Sequence, residues 1–284
     1  MVTEERGELR TPDGCVLSTA RWTPSDPKGV ILLVHGHAEH LGRYGHVVDA
    51  LTARGYVVVG QDHRGHGKSG GERALAMRFD DYVDDFRLLA EQTRDAFPQL
   101  PVGLVGHSMG GLIAARYALR YQHDLFGVAL SGAAFVVDEG TPAWQRPIAG
   151  LVARVVPKAP VPRGASEDVL SYNPAVKEAF QADPLNWHGP TRIRTAVEMV
   201  NAGEDALRRA ADLTIPLLAM HGEDDRLTSQ RGTIRFYEAA SSPDKTLKIW
   251  PHMKHEIFNE VEGTTVIGTV CDWLDAHIQA GVGP

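Results

Sequence analysis

The sequence predicts an α/β protein: a mostly parallel sheet with helices on both faces, interrupted once by a helical insertion. Three observations predict it. Short apolar runs of strand length alternate with amphipathic stretches of helical period along most of the 284 residues, the pattern of crossover units that cover a parallel sheet on both sides. Some runs, Gly29-Val30-Ile31-Leu32-Leu33-Val34 first among them, are apolar throughout, as strands buried on both faces are. The alternation lapses over residues 137–213, which are rich in proline and carry no convincing buried strand.

Taken in order, residues 7–10 and 16–22 flank Pro12-Asp13-Gly14, a turn signal, so the chain opens with a hairpin. The apolar run at 29–34 ends in His35-Gly36-His37-Ala38-Glu39-His40. Residues 44–54 place Val47, Val48 and Leu51 at helical spacing, closed by Gly55, and Tyr56-Val57-Val58-Val59 forms the next buried strand. A long amphipathic helix follows over 79–97, with Phe79, Val83, Phe86 and Leu89 on one stripe and Asp81, Asp84, Asp85 and Arg87 expected to face water. Further strands are expected at 101–105, 126–130, 215–220 and 246–250, with a closing helix over 264–278. Residues 1–136 and 214–284 thus read as the core, and 137–213 as a helical cap lying over the strand ends. In the cap, Ile148, Leu151, Val152, Val155 and Val156 fall on one helical face. For any one of them, packing on the core is the simpler reading; as a unit, an apolar cap above a reactive centre suggests an apolar substrate.

Composition narrows the classes. A hydrophobic fraction of 43% with 23% charged residues is ordinary for a globular protein. A net charge of −7 and the lack of a basic run argue against nucleic acid as a partner. The two cysteines, Cys15 and Cys271, stand far apart and suggest neither a disulfide framework nor a metal knuckle. The polar, acidic start and the absence of a long apolar run make a cytoplasmic location the default expectation.

The candidate centre is Gly106-His107-Ser108-Met109-Gly110, a Gly-x-Ser-x-Gly elbow between the strand at 101–105 and a helical stretch at 111–120. A serine hydroxyl is a weak nucleophile and must be lifted toward a general base on one side and a carbonyl on the other. A sharp strand-to-helix turn does this, and Gly106 and Gly110 leave the room it needs. The serine requires an imidazole, and the imidazole a carboxylate. After the strand at 215–220 stand Glu223, Asp224 and Asp225; after the strand at 246–250 stand His252 and His255. Three acids and two histidines compete for two roles, and spacing alone does not choose among them.

Five motifs in order are similar to the monoacylglycerol lipase family of serine α/β-hydrolases: His35-Gly36-x-x-Glu39-His40, Asp62-His63-Arg64-Gly65-His66-Gly67-x-Ser69, the elbow with Gly111, Asp225-Arg226-Leu227, and His255 before Glu256. The cap's Asp183-Pro184-Leu185 resembles bacterial members. The resemblance implies an α/β-hydrolase fold and hydrolysis of monoacylglycerol to glycerol and fatty acid without metal or cofactor. Ser108 would be the nucleophile, His255 the base and Asp225 its orienting partner, with the backbone N–H groups of His37 and Met109 as the oxyanion hole. Glu39 and Arg43 match positions near the glycerol end, and Ile148, Leu151 and Val152 would line the acyl side from the cap, where transient contact with a membrane surface is also expected. Two departures bear on the alcohol side: His37-Ala38 stands where the family often has a small residue followed by glycine, and Phe258 where some members carry a second histidine.

The remaining histidines, His35, His63, His66 and His107, are expected to hold turns by hydrogen bonds, with Asp62 and Arg64 bracing theirs. A general esterase, a lysophospholipase or an acyltransferase would use the same acyl-serine intermediate. From another class, the run His35, His37, His40 resembles the metal-binding run of metallo-β-lactamases and would suit a metal-dependent hydrolase. A non-catalytic binder on the same fold is the third reading.

Overall fold

In the computed structural model, residues 1–137, 145–161 and 167–278 are described. Parts of the expected cap, 138–144 and 162–166, and of the expected core, 279–284, lie outside them. Eight strands form one sheet: β1 (Val2–Arg10), β2 (Val16–Pro24), β3 (Gly29–Val34), β4 (Tyr56–Gln61), β5 (Val102–His107), β6 (Gly127–Ser131), β7 (Leu217–Gly222) and β8 (Lys245–Trp250). Their spatial order is β1-β2-β4-β3-β5-β6-β7-β8. The hairpin of β1 and β2 joins β4 antiparallel, and every pairing from β4 to β8 is parallel. The strands β3 to β7 are buried at every position, which is why their sequences carry no alternation.

Eight α-helices accompany the sheet among the described residues: α1 (Gly45–Ala53), α2 (Asp80–Ala96), α3 (Met109–Tyr121), α4 (Gln145–Val155), α5 (Pro174–Ala182), α6 (Ile193–Arg208), α7 (Gln230–Ala239) and α8 (Gly263–His277). One apolar cluster packs Tyr82 and Phe86 of α2, Leu112 and Ile113 of α3 and Phe236 of α7 on one face of the sheet. A second packs Val48 and Leu51 of α1 with Val266, Trp273 and Leu274 of α8 on the other. Helices on both faces close the parallel sheet as expected, and leave the carboxyl ends of β3, β5, β6, β7 and β8 to carry the site. No helix among the described residues is long and apolar enough to cross a membrane.

Three expectations change. The strand β1 begins at Val2, ahead of the expected 7–10, because it is an edge strand with almost every residue exposed and so lacks an apolar signature. Asp85 on α2 does not face water: its carboxylate is buried and takes Arg64 Nε at 2.6 Å and Nη2 at 2.7 Å. A guanidinium delivered from a distant turn makes burial of the charge tolerable. On α4 and just beyond its end, Ile148, Leu151, Val152, Val155 and Val156 belong to neither core cluster and face solvent, with Leu151 63% and Val155 73% exposed; the helix buries Ala153 instead.

Candidate active site

Ser108 occupies the turn between β5 and α3 with φ 56° and ψ −121°, a left-handed conformation that an L residue adopts only when its surroundings enforce it. The enforcement is backbone packing. A Cβ on Gly106 would stand 2.6 Å from the Gly110 carbonyl oxygen, and one on Gly110 would stand 2.2 Å from that of Val34. The Ser108 N–H donates to Ser131 O at 2.9 Å, and its carbonyl accepts the N–H of Leu112 and of Ala134. Both glycines are therefore required by the turn, as the motif predicts.

The competing acids and bases differ in side-chain burial and in their partners. His252 lies exposed in a turn, whereas His255 is buried with Nε2 2.8 Å from Ser108 Oγ. Glu223 is exposed and Asp224 accepts the Tyr172 hydroxyl at 3.0 Å. Asp225 has a fully buried side chain, with Oδ2 2.7 Å from His255 Nδ1. Its Oδ1 accepts the N–H of Leu227 at 2.8 Å and of Thr228 at 3.0 Å. With Asp225 as acceptor, His255 carries its proton on Nδ1 and presents a lone pair at Nε2 to the serine hydroxyl.

His221 is a member of this site that sequence reasoning did not single out. It ends β7, is fully buried, and places Nε2 3.0 Å from Asp225 Oδ2 while Nδ1 meets Thr233 Oγ1 at 2.8 Å. A histidine closing a buried strand just before the acidic loop was the available signal. Burial opposes ionisation of Asp225, yet the His255 and His221 imidazoles outweigh it and hold the carboxyl far below its usual range. Burial likewise works against a charged His255, and the Asp225 charge and hydrogen bond overcome it, so its pKa is raised above 6.5.

The loop after β3 passes directly beside the serine: a Cβ on Gly36 would lie 3.1 Å from Ser108 Cβ. The Gly36 N–H donates to Glu39 Oε1 at 2.6 Å. Neither the His37 nor the Met109 N–H donates to a protein acceptor among the described residues. Glu39 also accepts the Tyr44 hydroxyl at 2.6 Å and Arg43 Nη1 at 2.5 Å, and Arg43 makes a two-pronged contact with Glu256 at 2.9 and 2.8 Å. Glu39 and Arg43, expected near the alcohol end, are thus part of a buried tie between this loop and the one carrying His255. Phe258 is buried beside the His107 ring. The structure does not bring Ile148, Leu151 or Val152 into this network.

The structural histidines behave as expected, with His107 Nδ1 3.1 Å from Ser131 Oγ and His63 Nε2 donating to His35 O at 2.9 Å. Asp62 accepts the N–H of Leu41 and Lys68, bracing its turn, while Arg64 reaches Asp85 and Asp13. The metal reading of His35, His37 and His40 is corrected. Both His35 nitrogens are taken, by Gly36 O and the His63 N–H; His40 meets the Gly42 N–H and Asp183; no three-donor group that could hold an ion forms among the described residues.

An elbow serine, an imidazole and a buried carboxylate on the strand ends of a sheet covered on both faces define a serine hydrolase of the α/β-hydrolase fold. The chain matches the family described as "Serine aminopeptidase, S33" (Hydrolase_4) over residues 25–262. It is 38% identical to the monoacylglycerol lipase of Mycolicibacterium smegmatis, over 90% of this chain and 92% of that one. To the monoglyceride lipase of Rattus norvegicus it is 30% identical, over 95% and 90%. The crystal structure of Paleococcus ferrophilus monoacylglycerol lipase superposes with a TM-score of 0.82 at 29% identity, covering 92% of this chain and 99% of that chain. The chain belongs to the S33 family and, within it, to the monoacylglycerol lipases.

Proposed function

We propose that the chain hydrolyses monoacylglycerols to glycerol and a fatty acid, with Ser108, His255 and Asp225 as the catalytic triad. The observation that carries this is the unbroken run of contacts from Asp225 Oδ2 through His255 to Ser108 Oγ, at 2.7 and 2.8 Å, beside two N–H groups that donate to no protein acceptor among the described residues. His255 Nε2 takes the hydroxyl proton as Ser108 attacks the ester carbonyl, and Asp225 stabilises the resulting imidazolium. The His37 and Met109 N–H groups receive the oxyanion, each contributing about 3 kcal/mol in comparable sites. The proton then passes from His255 to the departing glycerol oxygen, and a water deprotonated by His255 releases the acid from Ser108.

In this reading the described residues of the 137–213 insertion form a cap over the strand ends, and Glu39 and Arg43 shape the alcohol side by holding the His37 loop. The cap is fastened there: Trp187 N–H donates to Ala38 O at 2.8 Å, and His40 Nε2 meets Asp183 Oδ2 at 2.8 Å. The exposed apolar face of α4 suits contact with a lipid surface, from which acyl chains would be delivered by Ile148, Leu151 and Val152. Liposome flotation with wild type and Val152→Asp tests this: reduced flotation is expected for the variant, and equal flotation removes the contact from the account.

The main test measures product release from monoacylglycerol, diacylglycerol, triacylglycerol, a lysophospholipid, a short-chain ester and an aminoacyl anilide. The expected result is a preference for monoacylglycerol that falls at least about a thousandfold in Ser108→Ala and in His255→Ala. Activity confined to the short ester would keep the triad and replace the substrate; activity confined to the anilide would replace the reaction.

A further inference from the structure

Four imidazoles, those of His35, His37, His63 and His66, pack behind the loop that presents the His37 N–H. Ring centroids are 4.0 Å apart for His35 and His63, 5.8 Å for His35 and His66, and 5.3 Å for His37 and His66, with the Tyr82 ring edge-on to His63 and His66. Their protons follow one from another. The His63 backbone N–H donates to His35 Nε2 at 3.0 Å, so His35 carries its proton on Nδ1 and donates to Gly36 O at 2.8 Å. His63 Nε2 faces the His35 carbonyl and is the donor there, leaving Nδ1 bare. His66 Nδ1 lies 3.0 Å from Arg64 O and also donates, which leaves Nε2 as a lone pair. The atom 3.4 Å from that lone pair, His37 Nδ1, is therefore a donor, and His37 Nε2 is a buried lone pair without a protein partner among the described residues. The scheme needs four neutral rings, and burial lowers all four pKa values, to about 4 for His37 and His63.

The next residue shows why this anchor matters. Ala38 has φ 65°, a left-handed conformation that is costly for an L residue and almost free for glycine. Ala38 is held from one side by the Trp187 N–H on its carbonyl. On the other side, the neighbouring His37 ring is docked on His66, and one residue further back the Gly36 N–H is held by Glu39. Relaxing Ala38 to a negative φ would turn the preceding peptide and carry the His37 backbone away from Ser108.

We infer that the His37 side chain is a positioning residue for the oxyanion hole: its Nδ1–H, anchored on His66 Nε2, holds the strained turn at Ala38 and so aims the His37 N–H at the developing oxyanion. This rests on the proposed ester hydrolysis at Ser108. The side chain of His37 touches no reacting atom, and its backbone N–H does the work.

The test compares His37→Ala, His37→Asn, His37→Gln, Ala38→Gly and the double variant His37→Ala/Ala38→Gly. Readouts are kcat, KM and the inhibition constant of an alkyl boronic acid, whose tetrahedral adduct places an oxygen in the hole; active enzyme is counted by a fluorophosphonate that labels Ser108. His37→Ala is expected to lower kcat about tenfold with KM little changed, and to weaken the boronic acid by a similar factor. Asparagine carries an N–H at the place of Nδ1 and is expected to retain most activity, whereas glutamine places its amide further out and is expected to be impaired. Adding Ala38→Gly to His37→Ala is expected to restore most of the loss, because glycine holds the positive φ unaided. Wild-type kcat per labelled His37→Ala molecule overturns the inference even if that variant melts earlier, since that is the mark of a merely structural role. Where His37→Ala does not fold, equal activity of His37→Asn and His37→Gln overturns it. A wild type that neither hydrolyses esters nor reacts with the fluorophosphonate instead sinks the proposed function, and does so before any His37 variant is made.

Discussion

Two carboxylate clusters flank the Ser108–His255 pair, and they are built in opposite ways. On one side Asp225 accepts two backbone N–H groups and faces two imidazoles, and these outweigh burial to keep it ionised. On the other, Glu39 and Glu256 share the guanidinium of Arg43. Burial, reinforced by the Glu256 charge, pushes Glu39 upward, whereas the two-pronged contact with Arg43 holds Glu256 down against its own burial. A carboxylate ringed by donors can stabilise a positive charge that appears on its neighbour during reaction. Carboxylates that share one cation keep a smaller field for their neighbours, and serve mainly to tie two loops together.

The contrast is sharpest for amide replacements, which keep shape and remove charge. Asp225→Asn is expected to lower kcat about ten-thousandfold, because the amide favours the wrong His255 tautomer and cannot stabilise the imidazolium. Glu39→Gln keeps an acceptor for the Gly36 N–H and the Tyr44 hydroxyl, and a loss within about tenfold is expected. Steady-state kinetics on one ester separates the two. Comparable losses would mean that both clusters act on the chemistry and the division into charge and tie is wrong.

Stability should divide the clusters the other way. Arg43→Met leaves Glu39 and Glu256 buried together without a cation, and the expected cost is about 3–5 kcal/mol by urea unfolding. Adding Glu256→Gln should recover a good part of it, since the stranded charge is then gone. A cost under about 1 kcal/mol for Arg43→Met would show that water or a rearranged loop reaches these carboxylates.

How far the sequence revealed all this follows from what each feature depends on. The buried strands were legible because burial on both faces demands apolar residues throughout, and the elbow because its turn cannot be made without Gly106 and Gly110. The choice among Glu223, Asp224 and Asp225 is not legible from spacing, since three adjacent acids share one chemistry and only the folded turn aims one of them inward; the family resemblance points to Asp225, the one whose side chain is buried against His255. The burial of Asp85 is hidden from the sequence because a helical wheel sees its own helix and not the Arg64 guanidinium, 21 residues away in sequence. His221 was overlooked because its partner, Asp225 Oδ2, is defined by the fold. The apolar stripe of α4 is legible as a stripe, but periodicity does not say whether its partner is the core or something outside the chain.

The smallest effect is one of pH, and its sign can be worked out. His255 must be neutral to act as base, so kcat/KM falls as pH drops through its folded pKa, which the Asp225 charge raises above 6.5. The midpoint of the acid limb is therefore expected above pH 6.5. The Glu256 charge contributes to the same rise, so Glu256→Gln should move the midpoint to lower pH and leave relatively more activity in acid. Unfolding has to be kept apart from this. A raised His255 pKa stabilises the fold below pH 6.5 and loses that contribution as pH rises through the folded value, so this residue does not cause acid unfolding. His37 and His63 work in the opposite sense: buried and neutral with values of about 4, they cost stability as pH falls from 6.5 toward 4. The kinetic profile should therefore be taken only over the range where circular dichroism shows an intact fold. A midpoint below 6.5 in that range, or one that Glu256→Gln leaves unmoved, would mean that the Arg43 cluster confines its carboxylate fields to the tie and that His255 feels less charge than its neighbours supply.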